Sequence, residues 1–314
     1  KAVQGNTDGI AGNIKSVEVL WESFGTAVMP NVGDIITDIK YSNGYICFST
    51  PEDFKEGNAV IAAKSSKGMV LWSWHMWCAK EKWDERAYPN NAGILMDRNL
   101  GAFSATPGDV GALGLLYQWG RKDPFLRPYY HDCSGSDDEY AYNNAGSIIY
   151  VECAESSAET GTIEYTIEHP MTFITNTACV DDEKGDGIGD WMHSSNNSLW
   201  SGTTKTLYDP CPYGWRVPAG SDFDCLQLTA EEDNTPLDTA RGRFGWMLSD
   251  GASNHFYLAG GFRSYYDGAI HNMNYKEDVY PSHPEPWEGY YWTAGTTADG
   301  KQSTCMYFDL TTTR

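Results

Sequence analysis

Hydrophobic and polar positions alternate in short runs along most of this chain, and runs long enough for an amphipathic helix are scarce. Val17–Trp21, Asp34–Tyr41, Tyr45–Phe48 and Ala59–Ala63 read as strands and are separated by Asn31-Val-Gly33, Ser42-Asn-Gly44 and Glu56-Gly-Asn58. This spacing predicts a small β meander, with Asn43-Gly44 as a two-residue hairpin turn. Met69–Trp77 predicts a further strand. Trp72, Trp74 and Met76 share one of its faces and Ser73, His75 and Trp77 the other, so both faces are expected to be covered. Ile94–Gly101 reads as a strand and turn. Gly111–Gly120 reads as a short helix with Leu113, Leu116 and Tyr117 inward. Ser147–Glu152, Thr162–Ile167, Phe256–Arg263 with its glycine break, Gly289–Ala294 and Thr304–Leu310 read as strands. Residues 1 to about 14, rich in Gly, Asn and Asp, are expected to be poorly ordered.

The most constrained stretch is Leu207–Leu226. Pro210 and Pro212 fix the backbone on either side of Cys211, Gly214 permits a tight turn, and Trp215-Arg216-Val217 alternates like a strand until Pro218 stops it. Ser221 and Asp222 then offer a helix N-cap, with Phe223, Leu226 and Leu228 at helical spacing. The stretch predicts a rigid strand-to-helix corner. Two units are expected: a small all-β domain over 1–68 and a larger α+β domain over 69–314, which carries a polar insertion at about 127–200.

Composition narrows the function. The chain has 43 acidic and 22 basic residues, a formal net charge of −21, which argues against binding nucleic acid or an anionic membrane surface. No apolar run reaches the roughly 18 residues of a membrane helix, so no membrane-spanning segment is expected, and the chain reads as soluble and mature. Its 20 Tyr, 12 Trp and 32 Gly suit a loop-rich β or α+β protein. The eight cysteines make no Cys-x-x-Cys pair; both disulfides and scattered buried thiols fit them. His75 and Cys78 lack a second ligand pair and read as packed side chains. Asp181–Asp190 offers carboxylates Asp182, Asp186 and Asp190 in a glycine-rich loop. The EF-hand pattern fails there, so a solvated acidic turn is favoured over a Ca2+ loop. There is no Gly-x-Ser-x-Gly, His-Glu-x-x-His or P-loop motif, and the reading is of a protein that is not an enzyme. Exposed Trp and Tyr beside Asp, Asn and Glu favour glycan or protein binding, since ring faces stack on sugar C–H surfaces.

Met96-Asp97-Arg98-Asn99-Leu-Gly101, Leu115-Leu-Tyr-Gln-Trp119-Gly-Arg-Lys-Asp-Pro-Phe125, Asp209-Pro-Cys211-Pro-Tyr-Gly-Trp215-Arg216-Val-Pro218, Leu258–Arg263 and Tyr290-Tyr-Trp292-Thr293 occur in that order. Together they resemble the Fibrobacter succinogenes major paralogous domain found in surface lipoproteins and fimbrial components of Bacteroidetes, and Val70–Trp77 resembles the strand that precedes it. The resemblance implies a C-type-lectin-like fold and a role in adhesion at the cell surface, as the tip or an accessory subunit of a fimbrium, with host or bacterial glycans or proteins and other fimbrial subunits as partners. Two departures stand out. The family's closing Ser-Val-Arg-Cys strand is absent by Arg314, through truncation or because Cys211 has lost that partner, with Cys225 and Cys305 as substitutes. The Glu-Pro-Asn and Trp-Asn-Asp calcium triplets are also missing, Glu285-Pro-Trp287 keeping two letters of three, so calcium-dependent sugar binding does not carry over.

The expected ligand site is the polar-aromatic loop 264–288, with Tyr265, Tyr266, Asp267, His271, Asn272, Asn274, Glu285 and Trp287. Two alternatives are a structural subunit whose exposed strand edges in 1–68 pair with a partner strand, and a secreted glycan-processing enzyme.

Overall fold

The computed structural model describes residues 1–4, 9, 11–25, 28–89, 93–107, 109–126, 146, 147, 149–177, 189–228, 245–271, 288–298 and 302–308. The chain opens with β1 (Ser16–Ser23), β2 (Thr37–Ser42), β3 (Tyr45–Ser49), β4 (Gly57–Lys64) and β5 (Val70–Cys78). β1, β4 and β5 form an antiparallel sheet with β4 in the centre, and β2 and β3 form a hairpin. At the hairpin tip Asn43 and Gly44 have φ of 51° and 79°, the two left-handed positions that an Asn-Gly turn supplies at little cost. The described residues of this first segment, 1–4, 9 and 11–14, are tied into the fold. Ala2 and Ala11 are 1% exposed, the Ala2 N–H donates to Gly44 O (2.9 Å), and Trp74 Nε1 donates to Val3 O (3.0 Å). Small alanines let this segment close over the Trp72 and Leu71 side chains.

β1 carries an irregularity that sets the interior. Val19 lies opposite Ile61 but Trp21 lies opposite Val60, so Leu20 is an extra residue and the alternation changes parity. Val19 joins a core with Ile35 and Ile36, while Trp21 joins a different one with Leu115 and Leu126. Glu22, opposite Ala59, is therefore turned toward Ile35, 2% exposed. There it accepts the N–H groups of Gly33 (2.8 Å), Ile35 (3.0 Å) and Ile36 (2.6 Å).

The boundary expected after residue 68 falls in the β4–β5 turn, and the strands on its two sides pair from Gly57↔Cys78 to Lys64↔Val70. Both faces of β5 are covered, as its rings predict. Trp74 and Met76 pack with Ile61. On the other face the Ser73 hydroxyl donates to Asp123 Oδ1 (2.6 Å) and Trp77 Nε1 donates to Ala102 O (3.1 Å). Lys122 is buried against β5, its ammonium on both Asp123 oxygens (2.7 and 2.8 Å) and 4.5 Å from the centre of the Trp72 ring. Burial pushes its pKa down, and Asp123 opposes that shift.

His75 bonds Asn58 Oδ1 through Nε2 (2.8 Å). Asn58 Nδ2 already donates to Gly101 O (2.9 Å), so Oδ1 is the acceptor and the neutral ring carries its proton on Nε2. Desolvation pushes the imidazole from 6.5 down to about 4. A folded-state pKa below the unfolded one means that the unfolded chain binds the extra proton first. Stability is full above about pH 6.5 and should fall by about 2–3 kcal/mol as pH drops toward 4, then level. Urea unfolding across that range measures it, and His75→Gln should flatten the slope.

Beyond β5 follow β6 (Glu85–Ala87), β7 (Ile94–Met96), β8 (Leu116–Tyr117), β9 (Pro124–Phe125), β10 (Glu152–Glu155), α1 (Ile163–Glu168) and β11 (Thr172–Thr175). The last group is β12 (Gln227–Leu228), β13 (Trp246–Ser249), β14 (Asn254–Tyr257), β15 (Phe262–Arg263), β16 (Ile270–His271), β17 (Gly289–Thr296) and β18 (Ser303–Phe308). β6–β7, β8–β9, β15–β16 and β17–β18 are antiparallel pairs, β12–β13–β14 is an antiparallel sheet, and β10 and β11 run parallel with α1 in the crossover. The fold is β-rich, and α1, six residues long, is the one α-helix among the described residues. Of the expected α+β class the β part dominates, and helix is a small share of the described residues. No helix among the described residues is long and apolar enough to cross a membrane.

Three local expectations change. Gly111–Gly120 is a single 3-10 turn at Val110–Ala112 followed by β8, because Gly114 and Gly120 take left-handed backbone at φ of 66° and 81°, which ends a helix. Thr162–Ile167 alternates like a strand but forms α1, since the Thr162 hydroxyl accepts the Tyr165 N–H and caps the first turn. Pairing in the segment after residue 147 begins at Glu152 rather than ending there. The described part of the expected insertion is built into the core. Ile174, Trp191 and Leu199 form one cluster, and buried Arg121 donates to Thr172 O (2.7 Å) and, with Nη2, to the carbonyls of His169 and Pro170.

Candidate functional site

The Asp209–Pro218 corner is held by one carboxylate. Asp209 Oδ1 accepts the Cys211 N–H (2.9 Å) and the Lys205 ammonium (2.7 Å), and Oδ2 accepts the Val217 N–H (2.9 Å). Lys205 also donates to Cys211 O (2.6 Å). Between these anchors the Trp215 N–H donates to Pro212 O (3.0 Å). Gly214, at φ 84°, supplies the positive φ that a type II turn needs at its third residue, and Tyr213 stands out at the tip, 90% exposed. The expected strand and helix contract. Trp215–Val217 is extended without a strand ladder, and Gly220–Phe223 is one turn of 3-10 helix. Asp222, expected as a cap, does accept the Ala219 N–H (2.9 Å); Ala219 takes the N-cap position instead of Ser221.

From this corner the other motif segments converge. The Ala294 N–H donates to Pro218 O (2.8 Å), which ties β17 to it. Trp119 Nε1 donates to Thr293 O (2.9 Å) and Trp292 Nε1 to Tyr117 O (2.8 Å), so two indoles stitch β8 and its turn to β17. Trp77 stacks on Trp83 (5.1 Å), which meets Trp215 edge-on (5.9 Å), linking β5 to the corner. Asp97 accepts the Asp84 N–H (3.1 Å) and two Arg98 N–H groups (2.9 and 3.0 Å), while Arg98 Nη1 donates to Phe103 O and Asn99 to Leu113 O.

These segments wall a cleft of about 620 Å3. Trp119, Trp215, Tyr291, Trp292, Phe262 and Tyr265 contribute rings to it, and Arg98, Asn99, Gln118, Arg216 and Gln302 contribute polar groups. Trp292 is 38% exposed, so a ligand can reach it. The Tyr117 hydroxyl in the same wall is buried with no hydrogen-bond partner among the described residues, and burial drives its pKa well up. Burial, then the neighbouring Asp209, likewise drives the Cys211 thiol well up. Cys211, Cys225 and Cys305 are free thiols, so neither substitute is bonded to Cys211.

The residues expected in loop 264–288 are divided. Tyr265 and Tyr266, 41% and 46% exposed, and Asp267 form the β15–β16 turn. The Asp267 carboxylate accepts the Ala269 N–H (2.9 Å), and Gly268 at φ 72° lets the chain turn back so that its N–H reaches Ser264 O (2.9 Å). The Tyr265 ring lies so close over Gly189 that an added Cβ there would sit 2.7 Å from it. His271 ends β16 opposite Phe262. Asn272, Asn274, Glu285 and Trp287 lie outside the described residues, as do Asp182 and Asp186. Asp190 borders the cleft, and its Oδ1 accepts the Met192 N–H (2.9 Å). Among the described residues no three His, Cys, Asp or Glu side chains are grouped as a metal site would need. Among the described residues, Tyr265 is the one expected ligand residue that lines the cleft. Other parts of the wall come from residues of the motifs that carry the resemblance: Asp97, Arg98, Asn99, Trp119, Cys211, Trp215, Arg216 and Trp292. Asp209 stands behind them as the anchor.

No protein-family model, no curated protein and no solved structure matches this chain.

Proposed function

We propose that this chain is an adhesion protein of the cell surface, a fimbrial tip or accessory subunit, that binds a glycan in the aromatic cleft. The observation that carries this reading is the cleft wall itself. Its lining includes rings at Trp292, Trp215 and Tyr265 and amides and guanidinium groups at Asn99, Gln302 and Arg98, the residue types that stack on sugar faces and bond hydroxyls. The C-type-lectin-like arrangement, the membership of the Bacteroidetes family and the exported location belong to the same proposal and rest on the motifs. The test is a screen of the purified chain on arrays of host and bacterial glycans, with Trp292→Ala as control. A specific hit that weakens at least tenfold in Trp292→Ala supports the cleft. Binding unchanged by that substitution moves the site elsewhere, and an array without hits removes the glycan reading.

One observation favours a second reading, a structural subunit joined by strand addition. β1 and β5 each pair on one side only in their three-stranded sheet, leaving edges that a partner strand can extend. Assembly with a partner that fails when β1 is bridged or blocked, with glycan binding absent, would favour it.

A further inference from the structure

The chain as a whole is strongly acidic, at −21, yet the charged residues of the cleft wall are four arginines and three aspartates, with no lysine or glutamate among the described residues. The three carboxylates are engaged. Asp97 holds Arg98 and the Asp84 N–H, Asp190 holds the Met192 N–H, and Asp222 holds the Ala219 N–H. Of the arginines, Arg98 is matched by Asp97 (2.9 Å) and Arg263 donates to the carbonyls of Gly268 and Leu126. Arg86 and Arg216 form no ion pair or hydrogen bond among the described residues. Both are partly buried, and with no acceptor among the described residues each guanidinium is available to an anion. Arg216 is held on the Asp209 corner, between Trp215 and the Val217 N–H anchor, so its backbone is fixed before any ligand binds. A planar fork placed in this way matches an oxyanion with two parallel hydrogen bonds.

We propose that the cleft selects an acidic glycan, one bearing carboxylate or sulfate, with Arg216 as the charge partner. The proposal rests on the reading of the cleft as a glycan site. Neutralising a local positive site inside an acidic surface also explains the selectivity expected. The negative field outside rejects polyanions that cannot place an oxyanion on Arg216, so binding depends on fit and not on general attraction.

The test measures binding of the full chain by calorimetry to three oligosaccharides of equal length: oligogalacturonate, which carries carboxylates, a carrageenan fragment, which carries sulfates, and cello-oligosaccharide, which carries neither. Arg216→Gln, Arg216→Lys and Trp292→Ala are compared with the parent, and thermal unfolding confirms that each is folded. The expected result is that at least one acidic probe binds more tightly than the neutral one. Arg216→Gln should weaken that probe on the order of tenfold to a hundredfold while sparing neutral binding. Arg216→Lys should recover part of the loss. Whichever acidic probe responds identifies the oxyanion. Equal binding of neutral and acidic probes, with Arg216→Gln unchanged and Trp292→Ala weak, overturns the charge assignment and leaves the glycan cleft standing. No binding of any probe to the folded parent overturns both.

Discussion

Asp209→Ala is expected to lower the stability of the chain by about 3–5 kcal/mol, because it strips the acceptor from three donors at once in a buried position. The Cys211 and Val217 N–H groups would face a cavity, and the Lys205 ammonium would keep only main-chain carbonyls. The side chain of Asp209 is 0% exposed, so water cannot take its place without a rearrangement of the turn. Asp209→Asn retains an acceptor on one side but presents an amide donor to another donor on the other, and should recover less than half of the loss. Urea denaturation measures both variants. A loss below about 1 kcal/mol in Asp209→Ala would mean that the prolines hold the corner without the carboxylate. Because Trp215 and Arg216 hang on the same turn, Asp209→Ala should also loosen the cleft, visible as a change in tryptophan emission before global unfolding.

Glu22→Ala is expected to cost about 3–4 kcal/mol for a similar reason in the opposite half of the chain. Its two oxygens receive the N–H groups of Gly33, Ile35 and Ile36, which turn the segment ahead of β2 and seat Ile35 and Ile36 in the core beside Val19. Charge-assisted bonds to buried donors are the expensive ones to lose. Glu22→Gln keeps the oxygen that serves Ile35 and Ile36 and should cost about 1–2 kcal/mol, chiefly at Gly33. Thermal unfolding of the pair separates a buried acceptor from a bland surface acid, for which both changes would fall within about 0.5 kcal/mol.

The Glu22 case shows where sequence reading ends. A strict period of two places Glu22 on the face of Glu18 and Leu20, and only the bulge at Leu20 carries it across. Nothing in Ser16–Ser23 marks that bulge, since it answers to the pairing with β4. The Asn43-Gly44 hairpin was legible because its cause is local: two adjacent residues that tolerate positive φ. β4, β5, β17 and β18 were legible because apolar and aromatic residues run together in short stretches, and in β4 that run is buried on both faces. Thr162–Ile167 was not, because a single capping hydroxyl outweighs an alternating pattern only six residues long. The cleft was half legible. The motif segments that wall it could be read from their order in the chain, and Trp215, Arg216 and Trp292 were all picked out. Their place in one wall is not legible, because a sequence does not show that Trp292 reaches Tyr117 or that Trp119 reaches Thr293 across more than half of the chain. The unmatched state of Arg216 is likewise a property of what surrounds it in space.

The β4–β5 hairpin has a consequence for any attempt to isolate the cleft. A fragment beginning at residue 69, where the change in sequence character invites a cut, would carry β5 without β4. It would leave the ladder from Gly57↔Cys78 to Lys64↔Val70 unpaired and bare the Trp74 and Met76 side chains that Ile61 covers. Such a strand is a flat aromatic edge, the kind that seeks another copy of itself. The cleft leans on that strand through Trp77, Trp83 and Trp215. A portion that keeps the cleft wall and the pairing of β5 therefore includes β4, and β1 on the far side of β4.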